Sequence, residues 1–426
     1  MHGFVGDLGL LRDRRFALLM SARTISVLGT AFAPVALAFG VLALPGADAS
    51  TLSVVLTAQS LPLVVFLLVG GVIADRFPRH LVMTAGESIN ALSYFALAAM
   101  LLTGWTPLPA LATAAAVSGI ATAALYPALT GIIPEVVPPE RLQSGNALLG
   151  LGANTSRVAG AVMSGGVVVL FGGGWALAVS GLMFAVAAVL VAGLRPARAG
   201  GEGAGSGAEA AREAGGSVLA DLRDGWREFS SRQWIWVVVA QFSVLVMAMQ
   251  AGHGVLGPLW AKESLGGAPA WSAFLAGEAV GTLAGVVLSL RLRPRRPILL
   301  GVLLCFPTAL PYALLGSGAP LWLTVAGAFL MGVCFDVFGV LWATTMQREV
   351  PPESLSRVAS YDALGSLMFG PIGLMLAGPV AHLIGTQAAL LCCSAIVVAT
   401  TTAALLSPGV RSLRAPEPDP AVPAAS

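Results

Sequence analysis

A few ionisable residues lie inside long apolar stretches of the sequence, where a charge is costly and usually functional. Carboxylate and guanidinium groups in such surroundings can bind a charged ligand, form ion pairs that are made and broken, or carry a proton. The sequence therefore predicts sites for charge or proton binding within these stretches. The main candidates are Arg23, Glu87, Arg157, Glu278 and Asp336.

The stretches around these residues are long enough to cross a membrane. Hydrophobic residues make up 57% of the chain and charged residues only 10%. In soluble proteins roughly half of the residues are apolar and about a quarter are charged. A helix crosses a bilayer with about 20 mostly apolar residues, and these runs are continuous and too long for barrel strands. We expect an all-α integral membrane protein with spans numbered one to twelve. Their expected ranges are residues 16–42, 50–74, 81–103, 108–131, 145–170, 172–194, 234–260, 270–290, 298–316, 320–345, 358–383 and 385–407.

The basic residues predict the orientation of the spans. All but three of the 23 lysines and arginines lie in loops on one side, the exceptions being Arg23, Arg157 and Lys262. The positive-inside rule makes that side cytoplasmic, with both termini there. We therefore expect a multi-pass protein of the cell (inner) membrane, whose first span lacks a cleavage site and is retained. The net charge of +2 gives no support for a nucleic-acid partner.

No pattern in the sequence predicts catalysis. The four cysteines lie within spans and lack metal-ligating spacing, and there is no phosphate-binding loop. A membrane enzyme would need a zinc motif, an activated nucleophile or paired aspartates, and a receptor would need a large extramembrane domain. We therefore expect a monomeric transporter in the lipid bilayer, with a small-molecule substrate, protons as a further partner, and no cofactor or metal.

The chain repeats a short motif. The sequence Pro-Pro-Glu-Arg-Leu at 138–142 recurs as Pro-Pro-Glu-Ser-Leu at 351–355, an offset of 213 in a chain of 426 residues. Each copy precedes a glycine-rich span. We expect two parallel six-helix halves, residues 1–194 and 234–410, related by an axis along the membrane normal.

Two segments lie outside these halves. Residues 195–233 are expected to form a cytoplasmic linker, flexible where glycine and alanine dominate. Its end carries Trp226 and Phe229 at helical spacing, which suits a helix on the membrane surface or one packed on the ends of the bundle. Residues 411–426 are rich in proline and alanine and are expected to be disordered.

The loop between spans two and three is a charged turn, Gly71-Val-Ile-Ala-Asp75-Arg76-Phe-Pro-Arg79-His80. Asp75 lies at the C-terminal end of a helix, where the helix dipole disfavours a negative charge. It therefore needs a compensating cation or another helix N-terminus. Gly71 allows close approach of a neighbouring helix, and Arg76 and Arg79 suit either a brace or simple anchoring at the cytoplasmic face.

This turn resembles the signature of the major facilitator superfamily, Gly-x-Leu-Ala-Asp-Arg-x-Gly-Arg-Lys/Arg. The matching positions are Gly71, Ile73, Ala74, Asp75, Arg76 and Arg79, whereas Pro78 and His80 depart from the signature. The resemblance covers about residues 10–410. It implies that Asp75 meets the N-terminus of span eleven, near residues 356–360, and that both arginines complete a brace between the halves.

Two further segments refine the resemblance. The opening from Leu11 to Gly29 and the start of span five around Asn146 look like the enterobactin-exporter and macrolide-efflux branch. Span five, however, lacks the proline of the exporter signature within 160–166. Span four, around 117–127, lacks the buried arginine of the antiporter signature.

The superfamily arrangement also implies where the ionisable residues meet. Spans five and eight would face each other, and Arg157 and Glu278 both lie roughly 18 Å from the inner face by helical rise. We expect them to pair during transport, unless each is satisfied within its own half. Arg23 and Glu87 are placed to pair within the N-terminal half. Weaker candidates are His253, a structural or titrating histidine; Asp362, which suits the cytoplasmic brace; and Tyr126.

Spans one, four, seven and ten would line the central cavity, which makes Arg23 and Asp336 candidates for substrate or proton binding. The cavity expected from the sequence is apolar with few charges. We therefore expect proton-coupled efflux of an amphipathic small molecule such as a drug, antibiotic, siderophore or secondary metabolite. The alternative is import of a small metabolite.

Overall fold

The computed structural model describes residues 8–138, 141–194 and 226–414, and these ranges contain helices but no strands. The all-α fold expected from the apolar runs is confirmed. The spans are Arg14–Leu42 (one), Ala49–Arg76 (two), Arg79–Thr103 (three), Leu108–Val136 (four), Leu142–Ala192 (five and six), Gln233–Leu265 (seven), Ala268–Ser289 (eight), Pro297–Gly316 (nine), Leu321–Glu349 (ten), Pro352–Ile384 (eleven) and Thr386–Leu406 (twelve).

The longest helix contains two membrane crossings. Within the described ranges, 11 helical segments are long and apolar enough to cross a membrane. Leu142–Ala192 has 51 residues, and at 1.5 Å per residue it would be about 76 Å long, more than twice the bilayer core. Gly172 interrupts it with φ 84° and ψ 166°, a conformation that glycine adopts readily. The break lies at the boundary of the predicted spans five and six, so the described ranges contain twelve spans.

Three spans in the C-terminal half are irregular. Span seven passes through π-helical turns at Ala251–Leu256 and Ala261–Leu265. Span nine contains a 3₁₀ turn, Phe306–Ala309, and span eleven is divided between Leu367 and Gly370. Pro258, Pro307 and Pro371 lie in or close to the irregular parts of these spans, where their missing N–H and their ring disturb the helical ladder.

Equivalent helix pairs in the two halves pack in the same way. Gly119 of span four lies against the backbone of Gln59 in span two, and a methyl group there would overlap the Gln59 carbonyl oxygen. Gly332 of span ten lies in the same way against the backbone of Glu278 in span eight. Small residues permit such close approach in membranes. This correspondence supports the proposed repeat and makes Gln59 and Glu278 equivalent positions.

The two halves meet at the end of the bundle that the basic residues predict to be extracellular. His382 bonds to Asp48 at 2.6 Å, and the Gly378 amide donates to the Ser53 hydroxyl at 2.9 Å. The Lys262 ammonium also donates to the carbonyl oxygen of Leu42. Each contact joins the N-terminal half to the C-terminal half, so the halves are held together at this end.

The predicted segments outside the halves are partly described. Residues 195–225 and 415–426 lie outside the described ranges, and with them most of the linker and tail. Phe229 is buried and packs against Tyr361 of span eleven, with ring centroids 5.9 Å apart, which favours packing on the bundle over a helix free on the membrane. The helix Pro408–Ser412 includes the first residues of the predicted tail, so any disordered tail begins later than 411.

Candidate functional site

A cavity of about 690 Å³ lies between the two halves. Spans one to six form one wall, and spans seven, eight and eleven form the other. Most of the lining is apolar. Among the described residues, the charged or readily titratable side chains in the wall are Arg157, His253 and Glu278.

His253 joins three spans of the C-terminal half. It lies in the first π-helical segment of span seven, a type of turn found frequently at functional sites. Its Nε2 is 2.9 Å from a Glu278 carboxylate oxygen in span eight. Its Nδ1 is 2.6 Å from the Tyr312 hydroxyl of span nine and 3.3 Å from the Met249 carbonyl oxygen. We call His253, Glu278 and Tyr312 the imidazole triad.

Aromatic rings enclose the triad on its inner side. The His253 ring meets the edges of Trp271 and Phe274, with centroids 6.0 and 5.6 Å away. Tyr312 is fully buried, and Gly252 leaves no room for a side chain between the backbone and its ring. The His253 and Glu278 side chains retain 16% and 27% exposure. Both side chains line the cavity, so the triad is open to it.

The opposite wall carries a neutral network. The Gln59 amide donates to Tyr94 at 3.1 Å and to Ser118 at 3.4 Å. The Ser118 hydroxyl donates to the Asn90 oxygen at 2.8 Å, and Asn90 donates to Thr122 at 3.3 Å. Gln59 is the packing equivalent of Glu278, so the two halves place an amide and a carboxylate at matching positions. Only the carboxylate can change its charge.

Arg157 and Glu278 line the same cavity without forming an ion pair in this conformation. The Arg157 guanidinium is exposed and donates to the Asn154 side chain at 2.8 Å. Glu278 bonds instead to His253. The predicted pairing of Arg157 with Glu278 stays a prediction for another state of the protein.

A family model of the Major Facilitator Superfamily matches residues 16–366, most of the chain. The chain belongs to the major facilitator superfamily. No curated protein matches it, and the predicted enterobactin and macrolide branch is not confirmed. The superfamily makes the protein a multi-pass membrane transporter.

Solved structures share the superfamily fold. The nucleoside transporter NupG has a TM-score of 0.71 and 13% identity, covering 94% of this chain and 100% of that one. A bacterial homologue of the human lysosomal transporter Spinster, inward-facing and unoccupied, has a TM-score of 0.69 and 15% identity, covering 93% and 97%. A POT family transporter in complex with 5-aminolevulinic acid has a TM-score of 0.71 and 13% identity, covering 93% and 97%. At these identities the likeness is one of fold.

The superfamily turn between spans two and three makes a contact within its own half. Arg79 donates to the carbonyl oxygen of Gly131 at 2.7 Å and to Glu135 at 2.9 Å, both in span four. This differs from the expected role of Arg79 in a brace to span eleven, because span four offers a carboxylate within reach. Arg76 is exposed. The side-chain surroundings of Gly71 and Asp75 lie outside the described detail, so the brace itself stays a prediction.

Arg23 and Glu87, which the sequence predicts to pair, lie within electrostatic reach of each other. The Glu87 carboxyl lies beside Ser26 and Arg23 of span one. Glu87 is only 3% exposed, and one of its oxygens lacks a hydrogen-bond partner among the described residues. The pair lies within one half, next to the cavity wall at Ser26.

Three further candidates from the sequence are Asp336, Asp362 and Tyr126. Asp336 and Asp362 do not line the cavity. Among the described residues, span ten does not contribute to the wall. Asp336 packs beside Gly285 of span eight and lies within electrostatic reach of Arg157 on the cavity wall. Asp362 accepts hydrogen bonds from Trp342 at 3.0 Å and Ser366 at 3.3 Å, both in its own half. The surroundings of the Tyr126 side chain are not described.

Sequence reasoning missed Tyr312 altogether and gave His253 little weight. A tyrosine carries no charge, so it does not stand out in an apolar run as Glu278 does. The only signal was rarity, since the chain has four tyrosines. The π-helical turn that aims His253 at both partners has no recognisable sequence pattern.

Proposed function

We propose that this protein exports an amphipathic small molecule across the cell membrane in exchange for protons. The observation that carries the proposal is the cavity between the halves, apolar over most of its lining and furnished with titratable groups on one wall. Such a cavity suits an apolar body with a few polar groups better than a sugar or nucleotide.

Alternating access supplies the mechanism. The contacts of Asp48 with His382 and of Ser53 with Gly378 hold the predicted extracellular end closed. These contacts break when the extracellular end opens. The cavity is then open to the extracellular side, where a proton enters, and in the other state to the cytoplasm, where the substrate enters. Transport is coupled when the protein changes state readily only with the substrate or the proton bound.

Export rather than import rests on the sequence resemblance to exporters. The similar structures include a nucleoside transporter and a POT family transporter with a bound ligand, and a likeness of fold does not give the direction of transport.

The test is flux in inverted membrane vesicles with an imposed pH gradient, using a panel of amphipathic compounds. Acidifying the vesicle interior, which corresponds to the extracellular side, should drive uptake of a transported compound. An importer coupled to protons would instead release a preloaded compound under the same gradient. Absence of gradient-dependent flux for every compound would contradict the proposal.

A further inference from the structure

We propose that the imidazole triad is the proton-binding site of this transporter, with His253 and Glu278 sharing the transported proton and Tyr312 positioning the ring. This inference rests on the proposed function and assigns its coupling to particular atoms. The evidence is the geometry of three side chains from spans seven, eight and nine, which meet at 2.9 Å and 2.6 Å.

The triad has a complete set of hydrogen bonds before it binds the proton. A neutral histidine has one N–H and one acceptor nitrogen. With its proton on Nε2, His253 donates to the Glu278 carboxylate, and Nδ1 accepts from the Tyr312 hydroxyl. The Tyr312 hydroxyl therefore selects the tautomer that faces Glu278.

The triad can also hold one more proton without moving a side chain. A hydronium ion in the cavity gives its proton to the pair and leaves as water. Both ring nitrogens of His253 then carry hydrogen, and Nδ1–H donates to the Met249 carbonyl oxygen at 3.3 Å or to the phenol oxygen. The hydroxyl hydrogen of Tyr312 rotates away. The charge of the pair changes from −1 to zero.

Other charged or titratable groups near the triad are few. Cys393 of span twelve lies beside Tyr312, and Arg157 of span five is on the cavity wall, bonded to Asn154. Asp336 of span ten packs on span eight at Gly285 and lies within electrostatic reach of Arg157. Span eight adds the apolar rings of Trp271 and Phe274. A change of one charge at the triad is strongly felt there, because low polarity strengthens charge interactions.

The triad lies next to the interface between the halves. Gly254, one residue after His253, lies against Leu56 of span two and Leu374 of span eleven. The backbone of Glu278 packs against Gly332 of span ten. His253 is thus one residue away from a contact with the opposite half, at Leu56. The equivalent position in the N-terminal half has the neutral Gln59, which cannot take up a proton as Glu278 can.

The intrinsic fluorescence of Trp271 tests the site without any transport. A protonated imidazole quenches a neighbouring indole, and the rings of His253 and Trp271 are 6.0 Å apart. We expect the purified protein to show a pH-dependent emission change that disappears in Trp271→Phe, which keeps an aromatic ring stacked on Phe274. The same change should disappear in His253→Gln.

Two further variants separate the parts of the triad. Glu278→Gln should weaken proton binding at least about tenfold, because a charge-assisted hydrogen bond is lost. Tyr312→Phe retains the ring and should shift the fluorescence midpoint while leaving the thermal unfolding temperature near the wild-type value. Gln59→Leu in the neutral network is the control and should leave the midpoint unchanged.

The outcomes distinguish this inference from the proposed function. A Trp271 signal that is constant between pH 5 and pH 9, or that persists in His253→Gln, would overturn the site even if vesicles show proton-driven flux. A signal that behaves as expected would support the site even if no flux is found.

Discussion

The Tyr312 hydroxyl is the member of the triad whose removal disturbs the structure least. In Tyr312→Phe the ring still fills the space beside Gly252, but Nδ1 of His253 loses its 2.6 Å partner. We expect proton-driven flux to fall about tenfold, the effect of one hydrogen bond to a site that becomes charged. Exchange of substrate without a pH gradient should persist.

The matched control is Tyr94→Phe. Tyr94 is also buried and accepts a hydrogen bond from Gln59 at 3.1 Å, but its network is neutral. Comparing gradient-driven flux with gradient-free exchange in both variants separates coupling from binding. Equal loss of coupling in the two variants would argue against a special role for Tyr312.

At the scale of residues, the sequence reveals charges but not their partners. Glu278 and Arg157 are conspicuous because acidic and basic groups are rare in apolar runs. Their partners, His253 and Asn154, depend on which helix faces are turned toward each other. That arrangement is set by packing between distant segments. The similar depth of Arg157 and Glu278 in the membrane was therefore not enough to establish that they pair.

Asp48 combines two roles at the start of span two. One carboxylate oxygen accepts from the Thr51 amide at 2.8 Å, and the other bonds to His382 of the opposite half at 2.6 Å. The Thr51 backbone N–H is the main cause that lowers the Asp48 pKa, and His382 adds to it. A lowered pKa means that the stabilisation is present above the unfolded-state pKa of about 3.9 and is lost as the pH falls through the folded-state value.

Substitutions at Asp48 should separate these roles. Asp48→Ala removes the helix cap and should destabilise the protein by about 1 kcal/mol at pH 7. Asp48→Asn keeps a good cap and should lose less. Thermal unfolding in detergent between pH 3 and pH 7 checks this, and the wild-type advantage over Asp48→Asn should shrink at the acidic end. A constant advantage over the whole range would contradict the assignment.

Gly378 controls the close approach of spans two and eleven. A methyl group on it would lie 2.6 Å from the Ser50 Cα, in the opposite half. We expect Gly378→Ala to prevent closure of the predicted extracellular end. A reporter cysteine at the cavity residue Ser60, in a background without native cysteines, should then react several-fold faster with an impermeant maleimide added outside.

The control for that experiment is Gly166→Ala in span five, where a methyl group has no neighbour within 4 Å. It should leave the labelling rate at the wild-type value. Equal rates in both glycine variants would show that Gly378 does not hold the halves together.

At the scale of elements, continuous hydropathy was sufficient to place the spans. The predicted break between spans five and six coincides with the non-helical Gly172. The irregular turns of spans seven and nine were not predicted, because their apolar character is unbroken. Prolines at 258, 307 and 311 mark those spans, but a proline alone does not say whether a π or a 3₁₀ turn results.

At the scale of the whole molecule, the two halves are similar in packing but different in charge. The C-terminal half carries the triad, whereas the N-terminal half carries the neutral network around Gln59 and the superfamily turn with Asp75. The sequence repeat could predict the shared packing. It could not predict the difference in charge, because that difference lies at single positions such as Gln59 and its equivalent Glu278.

The turn between spans two and three should affect how fast the transporter alternates between its two states. Asp75→Asn should slow transport several-fold without changing the orientation of the protein, because the neighbouring arginines that anchor the topology are retained. Flux and accessibility of a tag at each terminus measure the two effects separately. Arg76→Lys, which preserves the charge, is the control. An inverted orientation or an unchanged flux in Asp75→Asn would contradict this role.

Gradient-driven uptake into inverted vesicles, compared between the wild type and Glu278→Gln, tests the central claim most directly. With the vesicle interior acidified, wild-type vesicles should accumulate at least one amphipathic compound, and collapse of the pH gradient should release it. Glu278→Gln vesicles should equilibrate the same compound without accumulating it. Accumulation by Glu278→Gln at the wild-type level, or a wild-type flux indifferent to the gradient, would contradict proton coupling through the triad.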